Sequence, residues 1–267
     1  MADIVSNVRA SSVVRARRLL QGKFRREDSA FLAEGPQAAR EAAASGDVKE
    51  LFITEDCADR YPEIVDSVHS YGGTISYATD DVIESLSDSV SPQGVVAVVR
   101  ASNHALDSAV TDKSQLVALL ANVRDPGNAG AVIRAADAAG ATAVIASTNS
   151  VDLHNSKVVR ATAGSLFHLP CVEEVDIADA IKRAQACGLQ VLAADGSGEN
   201  FNSGVDLAIP TMWVFGNEAW GLPQDILDQV DQVVSIPIYG KAESLNLATA
   251  AAVCLYQSAQ AQRAKNN

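Results

Sequence analysis

The chain has 267 residues, 48% hydrophobic and 20% charged, enough to bury the cores of two modest domains without disulfides or metals. Its net charge of −12 argues against a protein that wraps nucleic acid with its whole surface. No apolar run reaches the roughly 18 residues of a membrane span, and the opening MADIVSNVRASSVV lacks the apolar core of a signal peptide, so a cytoplasmic protein without membrane contact is expected.

The charge is unevenly spread. Residues 1–26 carry Arg9, Arg15, Arg17, Arg18, Lys23, Arg25 and Arg26 against one acid, Asp3, a local balance of +6 that leaves −18 for the remainder. Such a segment reads either as a local phosphate contact or as a solvated helix face. FLAEG (31–35) then reads as a strand end and turn, and PQAAREAAAS as a helix with Pro36 at its first position. VKELFIT (48–54) is strand-like, YPEIVDSVHSYG helical, GTISYA strand-like, and QGVVAVVR (93–100) a β-branched strand. This alternation predicts a small α/β domain over residues 1–104, and the polar, aperiodic stretch that follows supplies a linker at 105–114.

A second domain, 115–267, opens with SQLVALLAN, apolar enough for a strand buried on both faces. After an Asn/Gly/Pro-rich loop come the helix AGAVIRAADAAG, the strand ATAVIAS, the helix HNSKVVRATAGS, a short strand FHLPCV and the amphipathic helix DIADAIKRAQACG. LQVLAAD, TMWVFG and VVSIPI are further apolar strands, and ESLNLATAAAVCLYQSAQAQR is a long Ala-rich closing helix. Alternating strand and helix predicts a parallel sheet covered on both faces. The four cysteines (Cys57, Cys171, Cys187, Cys254) stand far apart in apolar stretches, which predicts buried thiols and no metal site.

Three polar clusters fall at the C-terminal ends of predicted strands, where an open α/β sheet places its ligand crevice. In NVRDPGNAGAVIR (122–134), Asn128 can cap the following helix, with Arg134 about a turn and a half further on. An arginine among Ala131, Val132, Ile133, Ala135 and Ala136 is either a surface residue or one awaiting an anion. In FGNEAWGLP (215–223), Gly216 ends a strand and allows close backbone approach, while Glu218 projects from a turn. In IPIYGKAESLN (236–246), Ser244 and Asn246 straddle the start of the last helix, and capping accounts for one of them. The chain lacks a GxGxxG dinucleotide fingerprint, a Gly-x-Ser-x-Gly elbow and closely spaced His/Cys ligands.

Taken in order, NVRDPGNAGAVIRAADAAG (122–140), WVFGNEAWGL (213–222) and SIPIYGKAESLNLATAAAV (235–253) resemble the three motifs of the SpoU/TrmH methyltransferases of the SPOUT superfamily. SKVVRATAGSLFHLP (156–170) also resembles the family, and FLAEGPQAAREA with SPQGVVAVV is similar to the RNA substrate-binding domain that precedes many members. The resemblance implies a parallel-sheet SPOUT domain whose C-terminal segment forms a deep trefoil knot, homodimers built through it, and S-adenosylmethionine as methyl donor. It also implies 2′-O-methylation of an RNA ribose, with ribosomal RNA of the 23S type favoured. The implied catalytic set is Arg134, Asn128, Glu218, Ser244 and Asn246. The donor pocket would involve Ala194, Gly216, Asn217, Ile236, Ser244 and Leu245. RNA contacts would come from Arg9, Arg17, Arg18, Lys23, Arg25, Arg26 and Arg160. A transfer RNA target and a non-catalytic RNA-binding protein on the same scaffold are the alternatives.

Overall fold

The computed structural model describes residues 4–200 and 204–265, so Asp3, the one acid of the leading segment, lies outside the described residues. The chain divides into two compact units, one formed by residues 1–102 with 154–167, the other by 103–153 with 168–267.

In the first unit the elements run α1 (Ser11–Arg18), α2 (Gly22–Asp28), β1 (Ala30–Glu34), α3 (Pro36–Ser45), β2 (Val48–Ile53), α4 (Glu55–Arg60), α5 (Pro62–Ser70), β3 (Thr74–Tyr77), α6 (Asp80–Leu86) and β4 (Val95–Arg100). The strands form one mixed sheet in the order β1-β4-β2-β3, antiparallel except for the β2–β3 pair. Alternate strand residues face opposite sides, so Leu32, Phe52, Val96 and Val98 pack with Val13 of α1, with Leu19 just after that helix, and with Val82, Ile83 and Leu86 of α6. Helix α3 starts with Pro36 at its first position, as its sequence predicts, and buries Ala38, Ala39, Ala42 and Ala43.

Two of the arginines expected to contact RNA are engaged within this unit. Arg25 is buried, and its Nη1 donates to the carbonyls of Leu19 (2.8 Å) and Leu20 (3.0 Å), satisfying backbone left open where α1 ends. Arg160 belongs to α9 (Ser156–Thr162), a helix expected within the second domain that instead packs on β1, with Phe167 stacked on Phe31. Its guanidinium donates to Glu34 Oε2 at 2.7 Å. The Glu34 side chain is only 5% exposed and also accepts from the Ser87 hydroxyl and the Asp88 backbone N–H. Both arginines therefore hold the fold, because a carboxylate or carbonyl buried without a donor is costly.

The second unit contains α7 (Leu106–Ala109), β5 (Leu116–Leu120), α8 (Pro126–Ala139), β6 (Ala143–Ser147), β7 (Cys171–Val175), α10 (Ile177–Ala186), β8 (Gln190–Asn200), β9 (Thr211–Phe215), α11 (Gln224–Leu227), β10 (Gln232–Ser235) and α12 (Leu247–Lys265). Its six strands pair in parallel in the order β10-β8-β9-β5-β6-β7. β5, β6 and β9 are buried throughout, as expected for central strands covered on both faces. Val117, Leu119, Met212 and Val214 pack with Ala180, Ile181 and Ala184 of α10. α12 lies against α8 and the central strands, and there the buried Trp213 Nε1 donates to Ser258 Oγ at 2.9 Å.

Three strands differ from their sequence reading. FHLPCV forms no strand before Cys171, because Ser165–Phe167 is a turn of 3-10 helix packed in the first unit. β8 runs on from Asp195 to Asn200, allowed by Gly198, where a Cβ would stand 2.4 Å from the Val233 carbonyl carbon of β10. β10 ends at Ser235, just before Pro237 could interrupt its hydrogen bonding. The thiols of Cys57, Cys171 and Cys254 are buried, and Cys187 is half-buried with Sγ 3.6 Å from the Val110 carbonyl. Burial pushes Cys171 and Cys254 up to about 12, with the carboxylates of Glu173 and Asp137 adding to the effect at Cys171. Among the described residues no helix is long and apolar enough to cross a membrane.

Arg160→Ala leaves the buried Glu34 carboxylate without its cation and should destabilise the protein by about 2–3 kcal/mol. Urea unfolding followed by circular dichroism measures this, and an unchanged midpoint would return Arg160 to the free surface cations. The double change Glu34→Gln, Arg160→Met should recover most of the loss.

Candidate active site

The site is built where the chain leaves the C-terminal ends of β5, β8, β9 and β10. After β5, Asn122 takes a left-handed conformation (φ 57°), which asparagine tolerates better than most residues. Its N–H is held by Ser147 Oγ at 2.9 Å. Asp125 then caps α8, accepting the Asn128 N–H at 2.7 Å, with Pro126 as the first helical residue. The sequence reading gave that capping role to Asn128. With Asp125 in the role, the Asn128 side chain is free for other work.

It joins two other loops. Asn128 Nδ2 donates to Glu218 Oε1 at 3.0 Å, and Asn246 Nδ2 donates to Asn128 Oδ1 at 2.9 Å. Asn246 Oδ1 in turn accepts the backbone N–H of Ala248 (2.9 Å) and Thr249 (3.3 Å) at the start of α12. The expectation that one of Ser244 and Asn246 caps this helix is met by Asn246. Glu218 sits on a tight turn closed by the Asn217–Gly221 bridge, and Asn217 Nδ2 ties that turn to the Asn122 carbonyl at 2.7 Å. A Cβ at Gly216 would meet the Gly221 carbonyl carbon at 2.6 Å, so only glycine lets the turn fold back on the strand end.

These loops enclose a crevice of about 450 Å³. Of the residues singled out from sequence, Asn128, Ala194, Gly216, Asn217, Glu218, Ile236, Ser244, Leu245 and Asn246 all line it. Asp195, Phe215, Val234, Ile238, Glu243 and Ala250 line it too and were not anticipated. Asp195 had a signal in the sequence, an acid directly after an apolar strand at its ligand-facing end. The walls combine apolar side chains and exposed strand-end backbone with three carboxylates, Asp195, Glu218 and Glu243, and include no lysine or arginine. Such walls suit a ligand with an apolar body and positive charge and repel a free phosphate.

Arg134 does not join the cluster within one chain. Because α8 starts at Pro126, Arg134 lies more than two turns along it, on the outward stripe with Gly127, Ala131 and Ala138. It is exposed, lines no part of the crevice and makes no hydrogen bond or ion pair with another described residue. Within the chain, Glu218 and Asn128 bond to each other and not to Arg134. In the first unit, Arg9, Arg17, Arg18, Lys23 and Arg26 are exposed; Arg18 lies 3.6 Å from Glu27 and over the Phe24 ring, and Lys23 lies 3.7 Å from Glu27.

Residues 115–256 match the SpoU rRNA Methylase family, and residues 11–97 match the MRM3-like substrate binding domain. The chain is 31% identical over 236 residues to the 23S rRNA (guanosine(2553)-2′-O)-methyltransferase RlmP of Bacillus subtilis, covering 88% of this chain and 90% of that one. It is 30% identical over 224 residues to the 23S rRNA (guanosine-2′-O-)-methyltransferase RlmB of Neisseria meningitidis, covering 82% and 90%. The solved AdoMet-bound rRNA methyltransferase of Sinorhizobium meliloti superposes with a TM-score of 0.86 at 30% identity over 97% of both chains. Matched along more than half its length, the chain belongs to the SpoU rRNA methylase family.

Proposed function

We propose that this protein transfers a methyl group from S-adenosylmethionine to a ribose 2′-hydroxyl of ribosomal RNA, acting in the cytoplasm. One observation carries the reading: a crevice free of basic side chains, with Glu218, Asn128 and Asn246 in one hydrogen-bonded line along its wall. The activities for which the RlmP and RlmB relatives are named support the same reaction. The donor contributes an electrophilic methyl on a positively charged sulfur. Ala194, Gly216, Ile236 and Leu245 would bear on its apolar parts, and Asp195, Glu218 and Glu243 face its charge. A transfer RNA target and a non-catalytic role are less favoured, because the two named relatives act on 23S rRNA and a pure binding module has no need of this pocket.

The acceptor hydroxyl is a poor nucleophile and must lose its proton as the new bond forms. Among the described residues of one chain no lysine or arginine lines the crevice to steady the developing oxyanion, whereas Arg134 stands exposed on the outer face of α8 with no partner among them. We therefore place the working site at a homodimer contact, where Arg134 of one subunit reaches the crevice of the other. Support comes from the small residues beside it, Gly127, Ala131 and Ala138, which let another surface approach, and from the exposed Tyr256 of α12, whose hydroxyl meets the Ala138 carbonyl. A guanidinium stays protonated in proteins, so Arg134 would orient the hydroxyl and supply charge, while an RNA phosphate oxygen takes the proton. The knot belongs to the same proposal. The chain leaves β10 at the sheet edge and α12 returns to the central strands, so segment 236–246 is the stretch that would thread it.

Titration with S-adenosylmethionine should saturate one site per chain, and nucleoside analysis of methylated ribosomal RNA should place the label on a ribose. Failure to bind the donor would leave only the non-catalytic alternative. Arg134→Lys should cut kcat by about a hundredfold with donor affinity retained, because an ammonium cannot reproduce the planar fork. Mixing Arg134→Ala with Glu218→Gln subunits should restore about a quarter to a half of the activity if the arginine acts across the dimer; two inactive parents giving an inactive mixture would refute that. Replacing Arg17, Arg26 and Lys23 by Ala should weaken RNA binding and flatten its dependence on salt, each lost phosphate contact lowering the slope by about one. Equal affinity across salt would remove the leading helices from the RNA contact.

A further inference from the structure

One pair of side chains beside the crevice has no part in the reaction as described. Trp220 is 55% exposed, and an indole left in water is unfavourable unless something covers it. Its position is fixed by the turn that carries it. Asn217 and Gly221 exchange both backbone hydrogen bonds (3.1 and 2.9 Å), and Asn217 Oδ1 accepts the Ala219 N–H at 2.8 Å. Asn217 Nδ2 fastens the same turn to the Asn122 carbonyl, two residues from Arg124. The Arg124 guanidinium carbon lies 5.2 Å from the centre of the Trp220 ring, an exposed cation–π pair. Glu218, which lines the crevice, is two residues from Trp220 on this turn.

An indole face and a guanidinium plane are the surfaces on which an unpaired base stacks, and the guanidinium can also hold a backbone phosphate. A base inside a duplex hides both of its faces and cannot use them. We propose that Trp220 and Arg124 form a stacking platform for one splayed base of the RNA, beside the ribose presented to the crevice, so that the enzyme selects RNA unpaired at that point. The proposal rests on the RNA reading above and adds the structural class of its target.

The indole reports on its own occupancy. Of the chain's two tryptophans, Trp213 is fully buried, so quenching by a bound base belongs to Trp220. Titration with single-stranded oligoadenylate should quench the emission, the same length of adenylate–uridylate duplex should not, and Trp220→Leu should abolish the signal. With ribosomal RNA from cells lacking the gene as methyl acceptor, Trp220→Ala should raise KM for RNA about tenfold, with kcat within about twofold and donor affinity unchanged. Trp220→Phe should restore KM, since it keeps an aromatic face. An unchanged KM in Trp220→Ala overturns the platform, as does emission that changes on dilution without RNA, which would put the indole in a subunit contact. Quenching by single-stranded RNA with no methyl transfer by the unaltered protein would instead sink the reaction and leave the platform standing.

Discussion

A single amide, that of Asn128, connects the loops that make the crevice. Its nitrogen donates to Glu218 on the turn after β9, and its oxygen accepts from Asn246 at the start of α12. Those loops are separated in sequence by 90 and 118 residues, so no local preference could bring them together. The parallel sheet does so, because every strand points its C-terminal end the same way and the connection that follows each strand leaves on that side. Asn128 can serve because Asp125 takes over capping of α8. The crevice thus depends on a division of labour between two neighbouring side chains, one satisfying the helix and the other reaching across it.

Much of this was legible in the sequence, and for a definite reason. Strands buried on both faces read as continuous apolar runs, so the polar clusters at their ends stand out, and the resemblance of those clusters to the SpoU/TrmH motifs is what picks out Asn128, Gly216, Glu218, Ser244 and Asn246. That one of Ser244 and Asn246 caps the last helix was legible too, whereas the choice of Asn246 was not. What could not be read were choices between equivalent candidates and contacts between distant residues. Asp125 and Asn128 are both good capping residues three positions apart, and only the actual start of α8 at Pro126 decides between them. Arg25 and Arg160 look like their exposed neighbours in sequence; burial of the former and the Glu34 partner of the latter are tertiary facts. The return of α9 to the first unit was hidden likewise, since a helix pattern does not say which sheet it will cover.

Net charge bears on the RNA reading less than its size suggests. At physiological salt the screening length is about 8 Å, so an RNA strand responds to the charges beside it and hardly to the −12 of the whole chain. The protein segregates its charges accordingly. In the first unit α1 and α2 expose Arg15, Arg17, Arg26 and Lys23, with the acids of that stretch confined to Glu27 and Asp28. In the second, the crevice walls hold carboxylates alone, and Arg124 and Arg134 stay outside them. A polyanion entering those walls would be repelled, while a cationic methyl donor is attracted. Within one chain, keeping the arginines off these walls therefore leaves a pocket whose own charges all favour a cation, and the one positive group the reaction calls for is the Arg134 proposed to come from a second subunit.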